Sequence, residues 1–522
     1  MDKTAKDKKR NHFLVVDFGS QSLRAMIIDT NGMTLASVVD ATPVCQPEGQ
    51  ATQSVEDMYK RCAMAVDTAI TRYITQGYNG NQIIAFGITC LRNTLVAMDR
   101  NKSPICDAIL WQDNQLATNI PRLKMWFRAI CKVVDLFYPL SSQITDLQAQ
   151  APINKLRSRQ PVAHQQIRFL GHLSTYLHYR LANAFVDTSS NMVGYLPLNF
   201  KHHTWQPKWH WYYQAFACER KWLPKLCAHG TKLAELPLQR LTSERVNNDT
   251  LAFCALASDK VSEAIGTGCY RANDIHVSLG TAISISVLTD RFIGPKPFYP
   301  AFPFIDKNTF VCESMLEVGM QLISDFIVKF EQQLTHILPA DLVSLNQKLD
   351  YVDSALLTRF ANRSETAVFT GGESSYNRHS KVACEPLSSP STKQVYFNLN
   401  GYVSGLSWQQ VLSPNIDHSG IYLEHIKVIY DALAEQICLQ LVNLCQRLAI
   451  SIHQVYISGG GANSRYLCQR ICRLLDTPIN VSQHQQPGAL GAAVCLAYYN
   501  KTYTDLPSAV EAMVPKAVQL LP

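Results

Sequence analysis

The chain has 522 residues, 47% of them hydrophobic and 17% charged, with a formal net charge of +7. At roughly 100–200 residues per domain this length requires more than one core, and the composition excludes a disordered protein. The 16 cysteines include no Cys-x-x-Cys pair and the 15 histidines no zinc-protease spacing, so neither a disulfide scaffold nor a zinc site is expected to organise the fold.

Part of the positive charge sits in Lys3, Lys6, Lys8, Lys9 and Arg10, interrupted by Asp2 and Asp7. Residues 1–11 read as a solvated basic lead-in, with no aromatic interleaving or base-reading pattern that would make nucleic acid a partner. The apolar run that follows, Phe13 to Val16, is too short for a signal peptide, and no segment reaches the ~18–20 apolar residues of a spanning helix. A cytoplasmic protein without a membrane partner is expected, and a homodimer is compatible with the chain. Phe13 to Asp17, the turn Phe18-Gly19-Ser20-Gln21-Ser22, and the apolar run Leu23 to Ile28 predict a β-hairpin. A helix is expected around Val55 to Ile74, then strands at Ile83–Thr89 and Leu95–Asp99. Helical sequence runs from Gln165 to Leu181, and a tryptophan-rich basic loop from Phe200 to Trp222.

Asp274 to Asp290 repeats the opening pattern around Gly280 and Thr281, which suggests a duplicated α/β unit. Ile426 to Leu448 carries a helical apolar stripe. Val455–Ser458 reads as a strand, Gly459 to Ser464 as a glycine loop, Arg465–Leu475 as a helix, Ile479–Val481 as a strand, and Pro487 as the start of a last helix.

The chemistry concentrates at four places. Asp17 ends an apolar strand, where a buried carboxylate is costly without a partner. The turn behind it offers backbone N–H groups and the polar side chains of Ser20, Gln21 and Ser22, tools that hold phosphate oxygens while Asp17 reaches a hydrated Mg²⁺. Gly280 and Thr281 offer a second such turn without the carboxylate, and two ordinary hairpin turns are the plain alternative. Asp259 follows an apolar strand and opens a short helix, where it is either an N-cap or a base facing a cleft. Gly459-Gly460-Gly461 lets backbone approach a ligand closely, or simply makes a tight strand-to-helix turn. No Walker A loop or complete dinucleotide fingerprint competes with these.

Val15 to Arg24 resembles the N-terminal phosphate-binding signature of the FGGY family of carbohydrate kinases. Thr89 to Thr94 with Ala108 to Asp113 resembles its substrate-side segment, and Asp187 to Asn191 with Gly194 its mid-domain segment. Ala257-Ser-Asp-Lys260 with Gly266-x-Gly268 is similar to its catalytic-aspartate segment. Ser278 to Thr281, Ser458 to Ser464 and Gly488 to Ala493 resemble its nucleotide-site and closing-helix segments. The ordered set covers about residues 12–325 and 426–498. The tracts Val193–Pro197, Ala257–Lys260 and Tyr299–Pro303 resemble a branch apart from the glycerol and xylulose kinases.

The resemblance implies an α/β fold of two actin-like (ribonuclease H-like) domains with an ATP and sugar cleft between them. The expected division is 12–269 for the N-terminal, substrate-side domain and 270–500 for the C-terminal, nucleotide-side domain, with 501–522 as a tail. It implies transfer of the ATP γ-phosphate to a sugar or polyol hydroxyl, with ATP as co-substrate and Mg²⁺ as cofactor. Asp259 would be the general base; Arg92, Asn93 and Asp113 would hold the substrate with it. Gly19, Ser20, Gln21, Ser22, Gly280, Thr281, Gly460, Gly461 and Asn463 would bind the nucleotide, and Asp17 the Mg²⁺ through water. The sequence departs from the family at Ala257, at Gln115, at Gly372 to Tyr376 and at Lys427 to Ala432. These departures motivate the rival reading, a non-catalytic member that binds nucleotide or sugar as a regulator.

Overall fold

The computed structural model describes residues 11–19, 22–42, 49–244, 246, 249–297, 299–316, 319–324, 382–383, 396–398, 402–404 and 418–522. The lead-in 1–10, Ser20 and Gln21, Gly372 to Tyr376 and most of 376–415 lie outside the described residues.

In the first lobe β1 (His12–Phe18), β2 (Ser22–Asp29) and β3 (Thr34–Ala41) form an antiparallel meander. After helix α1 (Val55–Thr75), β4 (Ile83–Cys90) returns parallel to β1. Helix α2 (Leu173–Ala182) follows, then β5 (Lys232–Pro237) and β6 (Thr250–Ala255), giving the sheet order β5-β6-β4-β1-β2-β3. Helix α1 begins where Ser54 accepts a hydrogen bond from the Asp57 N–H, satisfying one of the free donors of its first turn.

Alternation along β1 explains why both faces of this sheet are covered. Leu14, Val16 and Phe18 pack with α1 residues such as Val55 and Met58. Phe13 and Val15 point the other way, into a cluster with Ala489, Leu490 and Val494 from near the far end of the chain.

The second lobe repeats the plan. Helix α3 (Asp259–Gly266) ends the first lobe, and the second is built from β7 (Ile275–Leu279), β8 (Ile283–Thr289), β9 (Phe302–Pro303) and β10 (Phe310–Leu316). Helix α4 (His418–Leu448) precedes β11 (Val455–Ser458), α5 (Arg465–Leu475) and β12 (Ile479–Val481). Helices α6 (Pro487–Tyr499) and α7 (Leu506–Met513) and strand β13 (Val518–Leu520) close the chain. The sheet order is β9-β10-β8-β7-β11-β12-β13, so β10-β8-β7-β11-β12 matches β3-β2-β1-β4-β6 strand for strand. This is the duplicated α/β unit of two actin-like domains.

Some expectations change. Gln165 to Leu181 is not one helix: Gln165 and Gln166 end a short helix, Pro161–Gln166, Phe169–His172 is a strand paired with Leu95–Met98, and a second helix starts at Leu173. The loop Phe200 to Trp222 wraps a satellite core in which Trp205 and Trp222 are buried, and the Trp205 indole donates to the Pro224 carbonyl. Residues 501–522, expected as a tail, hold α7 and β13 instead, because β13 completes the second sheet beside β12. Helix α6, assigned from sequence to the second domain, covers the first sheet, so the final segment spans both lobes.

Candidate active site between the two lobes

The site begins at the end of β6. From there the chain turns through Ala257 and Ser258 into α3, and three side chains of the first lobe pin that turn. Thr89 Oγ1, at the end of β4, donates to the Ala257 carbonyl at 2.9 Å. Thr188 Oγ1 and Asn191 Nδ2 both donate to the Leu256 carbonyl, at 3.0 and 3.1 Å. Asp187 anchors that clamp, accepting from Ser174, Thr175 and Asn191. The Asp187 to Asn191 segment therefore positions the turn that presents Asp259.

Ser258, not Asp259, takes the cap position of α3, and its side chain makes no capping bond. Asp259 occupies the first helical turn, where the exposed backbone N–H groups favour a negative charge. Its Oδ1 is buried without a hydrogen-bond partner. Burial pushes its carboxyl above the usual range, against the pull of Lys260 and Arg92. A buried acceptor with no donor in the protein is an invitation to a ligand hydroxyl.

Asp17 ends β1, buried, with its Oδ2 3.4 Å from Arg24 Nη1. Burial pushes its carboxyl up to about 6; Arg24 opposes this, while the negative charges of Asp259 and Glu263 add to it. The first residues of α6 lie against it: a Cβ on Gly488 would sit 2.9 Å from Asp17 Oδ2. Gly19 closes the hairpin, its N–H donating to the Ser22 carbonyl at 3.0 Å.

Sequence reading missed the polar seam between the lobes. Glu263 on α3 accepts from Lys260 Nζ at 2.9 Å, from Ser278 Oγ at 2.8 Å and from Ser458 Oγ at 2.7 Å. Lys260 also donates to Ser278 Oγ at 2.9 Å, and His276 Nε2 lies 2.8 Å from Ser458 Oγ. Burial alone would raise the Glu263 carboxyl, but Lys260 and the other donors outweigh it and hold it near about 2. Burial holds His276 down to about 4, so its ring is neutral at pH 7. Ser278 lies at the end of β7, immediately before the Leu279-Gly280-Thr281 turn, so this network joins the Asp259 helix to the second glycine turn. The Gly280 carbonyl accepts from the Met320 N–H at 3.0 Å.

Arg92 follows β4 and reaches across the cleft to Glu313 on β10, Nη2 to Oε1 at 2.6 Å, with its guanidinium over the Phe302 ring. Burial works against its charge, yet Glu313 and Asp259 hold it protonated more firmly than an ordinary arginine. A cleft lined by Arg92, Ser258 and Lys260 from one side and Ser286, Phe302 and Glu313 from the other brings these groups together. Asn93 sits in the left-handed region at φ 54°, its Oδ1 buried and unpartnered beside Gly194.

Asp113 is different. Arg159 binds both its oxygens at 2.7 Å, Lys155 Nζ adds a contact at 3.1 Å, and the Ala51 N–H donates at 3.1 Å. Both its oxygens are already engaged by the protein. The triple glycine forms a short 3₁₀ turn, Gly460–Asn463. Gly459 has φ +87°, and a Cβ there would collide with the Leu279 backbone at 2.7 Å, so this turn packs directly on the end of β7. A Cβ on Gly460 would meet nothing within 4 Å, and Asn463 is exposed, which leaves an open shelf.

Residues 12–266 match the N-terminal domain of the FGGY family of carbohydrate kinases, and residues 411–499 match its C-terminal domain. The chain is 19% identical to an uncharacterized sugar kinase, YgcE, of Escherichia coli, over 97% of this chain and 88% of that protein. It is 21% identical to a xylulose kinase of Haemophilus influenzae, over 94% of this chain and 90% of that protein. Among solved structures it resembles a gluconate kinase from Lactobacillus acidophilus, with a TM-score of 0.68 at 17% identity, covering 98% of this chain and 94% of that one.

Proposed function

Because this chain belongs to the FGGY family of carbohydrate kinases, we propose that it transfers the γ-phosphate of ATP to a hydroxyl of a sugar or polyol, with Asp259 as the general base. The observation that carries this reading is the orphaned, buried Oδ1 of Asp259, whose chain neighbours Ser258 and Lys260 line a cleft that both lobes share. A hydroxyl donating to that oxygen is oriented for attack and loses its proton to it as its bond to the γ-phosphorus forms and the bond from that phosphorus to ADP breaks, with ADP leaving. A carboxyl raised by burial is a better base than an ordinary one, whose pKa is ~3.9. Arg92 and Asn93 flank the acceptor. Gly19, Ser22, Gly280 and Thr281 offer the two glycine turns to the phosphates, and the Gly460 to Asn463 shelf takes the adenosine. Asp113 supports the substrate side indirectly, by holding Arg159 and Lys155 against the loop before it.

The residues present fit a divalent cation at Asp17. It is a hard oxygen donor that burial and two neighbouring carboxylates make reluctant to ionise alone, and a cation would relieve that penalty. When bound, Mg²⁺ supplies charge neutralisation at the phosphates. The seam of Lys260, Glu263, Ser278 and Ser458 holds the base and the second glycine turn in fixed relation, so closure excludes water from both together.

The test is Asp259→Asn, assayed by ADP release with a panel of pentoses, hexoses, ketoses and polyols. Since Ser258 holds the cap position and burial penalises the Asp259 charge, melting should not fall and should rise somewhat at neutral pH. Phosphorylation should fall by roughly 10²- to 10⁴-fold, the usual general-base contribution. A variant that phosphorylates the same acceptor at near the wild-type rate removes Asp259 from the reaction.

A further inference from the structure

The acceptor side of the cleft carries a second carboxylate that family resemblance alone did not single out. Glu313 comes from β10, in the opposite lobe to Asp259. One of its oxygens binds Arg92 at 2.6 Å; the other, Oε2, is buried with no hydrogen-bond partner. Asp259 Oδ1 and Asn93 Oδ1 are buried and unpartnered as well. All three are acceptors only, and a ligand that brings donors can satisfy each of them. The cations nearby are already engaged: Arg92 by Glu313 and by the Phe302 ring, Lys260 by Glu263 and Ser278.

Resting on the kinase reading, we infer that Glu313 is a specificity-determining residue that restricts the acceptor to uncharged polyhydroxy compounds and rejects sugar acids. A neutral sugar or polyol presents adjacent hydroxyl hydrogens, one for Asp259 and one for Glu313, so that each orphaned oxygen gains a charge-assisted hydrogen bond. A sugar acid brings a carboxylate instead. It offers further acceptors to a site whose buried unpaired donor is the Ser258 hydroxyl, and it sets a negative charge beside Glu313 and Asp259 with no uncommitted cation among the described lining residues to meet it. Rejection of the wrong acceptor thus comes from unpaired groups and like charge as much as from lost contacts. Because Glu313 reaches in from the second lobe, this discrimination operates with the lobes together, the arrangement in which Arg92 and Glu313 meet.

The test pairs neutral acceptors with acids of the same carbon count, glycerol with glycerate and glucose with gluconate and glucuronate, adding the four- and five-carbon polyols and ketoses. Turnover and direct calorimetric binding are both measured on the full chain. Wild type should bind and phosphorylate neutral compounds only. Glu313→Gln keeps the shape and one acceptor oxygen but removes the charge. It should raise the neutral acceptor's KM by roughly 10- to 100-fold, the loss of one charged hydrogen bond, and narrow the gap to the matched acid, with the KM for ATP little changed. If no compound is phosphorylated but a neutral polyol binds and the variant weakens it, the inference stands and the kinase reading falls. An acid used as well as its neutral counterpart overturns the inference. So does an unchanged acceptor affinity in the variant, and so does a panel in which nothing binds.

Discussion

Asp17 and Asp259 are two carboxylates that feel each other's charge, and burial raises both. For Asp17 the consequence for stability has a definite sign. Its folded pKa is about 6, whereas an unfolded Asp ionises near ~3.9. Between those values the folded state holds more protons, so stability falls as pH rises through that window, and the penalty is complete above about 6. Asp17→Asn is therefore expected to raise the melting temperature of the ligand-free protein at pH 7.5. At pH 4 it should change it little. The same variant should lose most of the thermal stabilisation that wild type gains from ATP with Mg²⁺ at pH 7.5. Melting curves at both pH values, with and without nucleotide, check the two halves separately. These single residues were legible in the sequence because each ends an apolar run. Their partners were not: Arg92 meets Glu313 at a separation of 221 positions and Glu263 meets Ser458 at 195. The ties of Asp113 were hidden for the same reason, since Lys155 and Arg159, one helical turn apart, only become its neighbours in the folded chain.

At the scale of elements, the crossing of α3 and α6 fixes the site's geometry. A Cβ on Gly266 would lie 1.9 Å from the Pro487 carbonyl oxygen, and one on Gly491 would lie 1.8 Å from the Ser262 carbonyl oxygen. Both obstacles are backbone, so neither can rotate away. Gly491→Ala should destabilise the protein by about 1–3 kcal/mol, the usual cost of overpacking, and slow transfer because α3 carries Asp259. Gly460→Ala has open space around it and should leave stability within about 0.5 kcal/mol of wild type. It should instead raise the KM for ATP if the adenosine lies on that shelf. Denaturant titration and steady-state kinetics on the pair separate packing from binding. The elements themselves were readable wherever one period dominated: the two hairpins, the stripe of α4, and α5 between Ser464 and Leu475. Gln165 to Leu181 failed because Phe169–His172 takes its structure from pairing with Leu95–Met98, a contact that local pattern does not encode. Lys427 to Ala432, where the sequence departs from its family, still builds structure: Asp431 accepts from the Tyr466 hydroxyl at 2.9 Å and pairs with Arg470, tying α4 to α5.

Across the whole molecule, the last stretch of chain crosses back over the first lobe before finishing in the second. Helix α6 fills the face of the first sheet that Phe13 and Val15 present, Gly32 lies against the Met513 carbonyl, and β13 then pairs with β12. A chain emerging from the ribosome makes β1 long before α6. Until the final residues appear, the first sheet has one bare apolar side, and a domain that reads as an early, self-sufficient unit is an incomplete one. Ending the chain at residue 486 should therefore leave both lobes unable to fold cooperatively, with aggregated product or exposed apolar surface detectable by a hydrophobic dye; a soluble fragment with a sharp melting transition would refute this. The two actin-like domains are in this sense sewn shut by a single late thread, so that quality control waits on α6: a message truncated before it yields no half-working kinase, only material for chaperones and proteases.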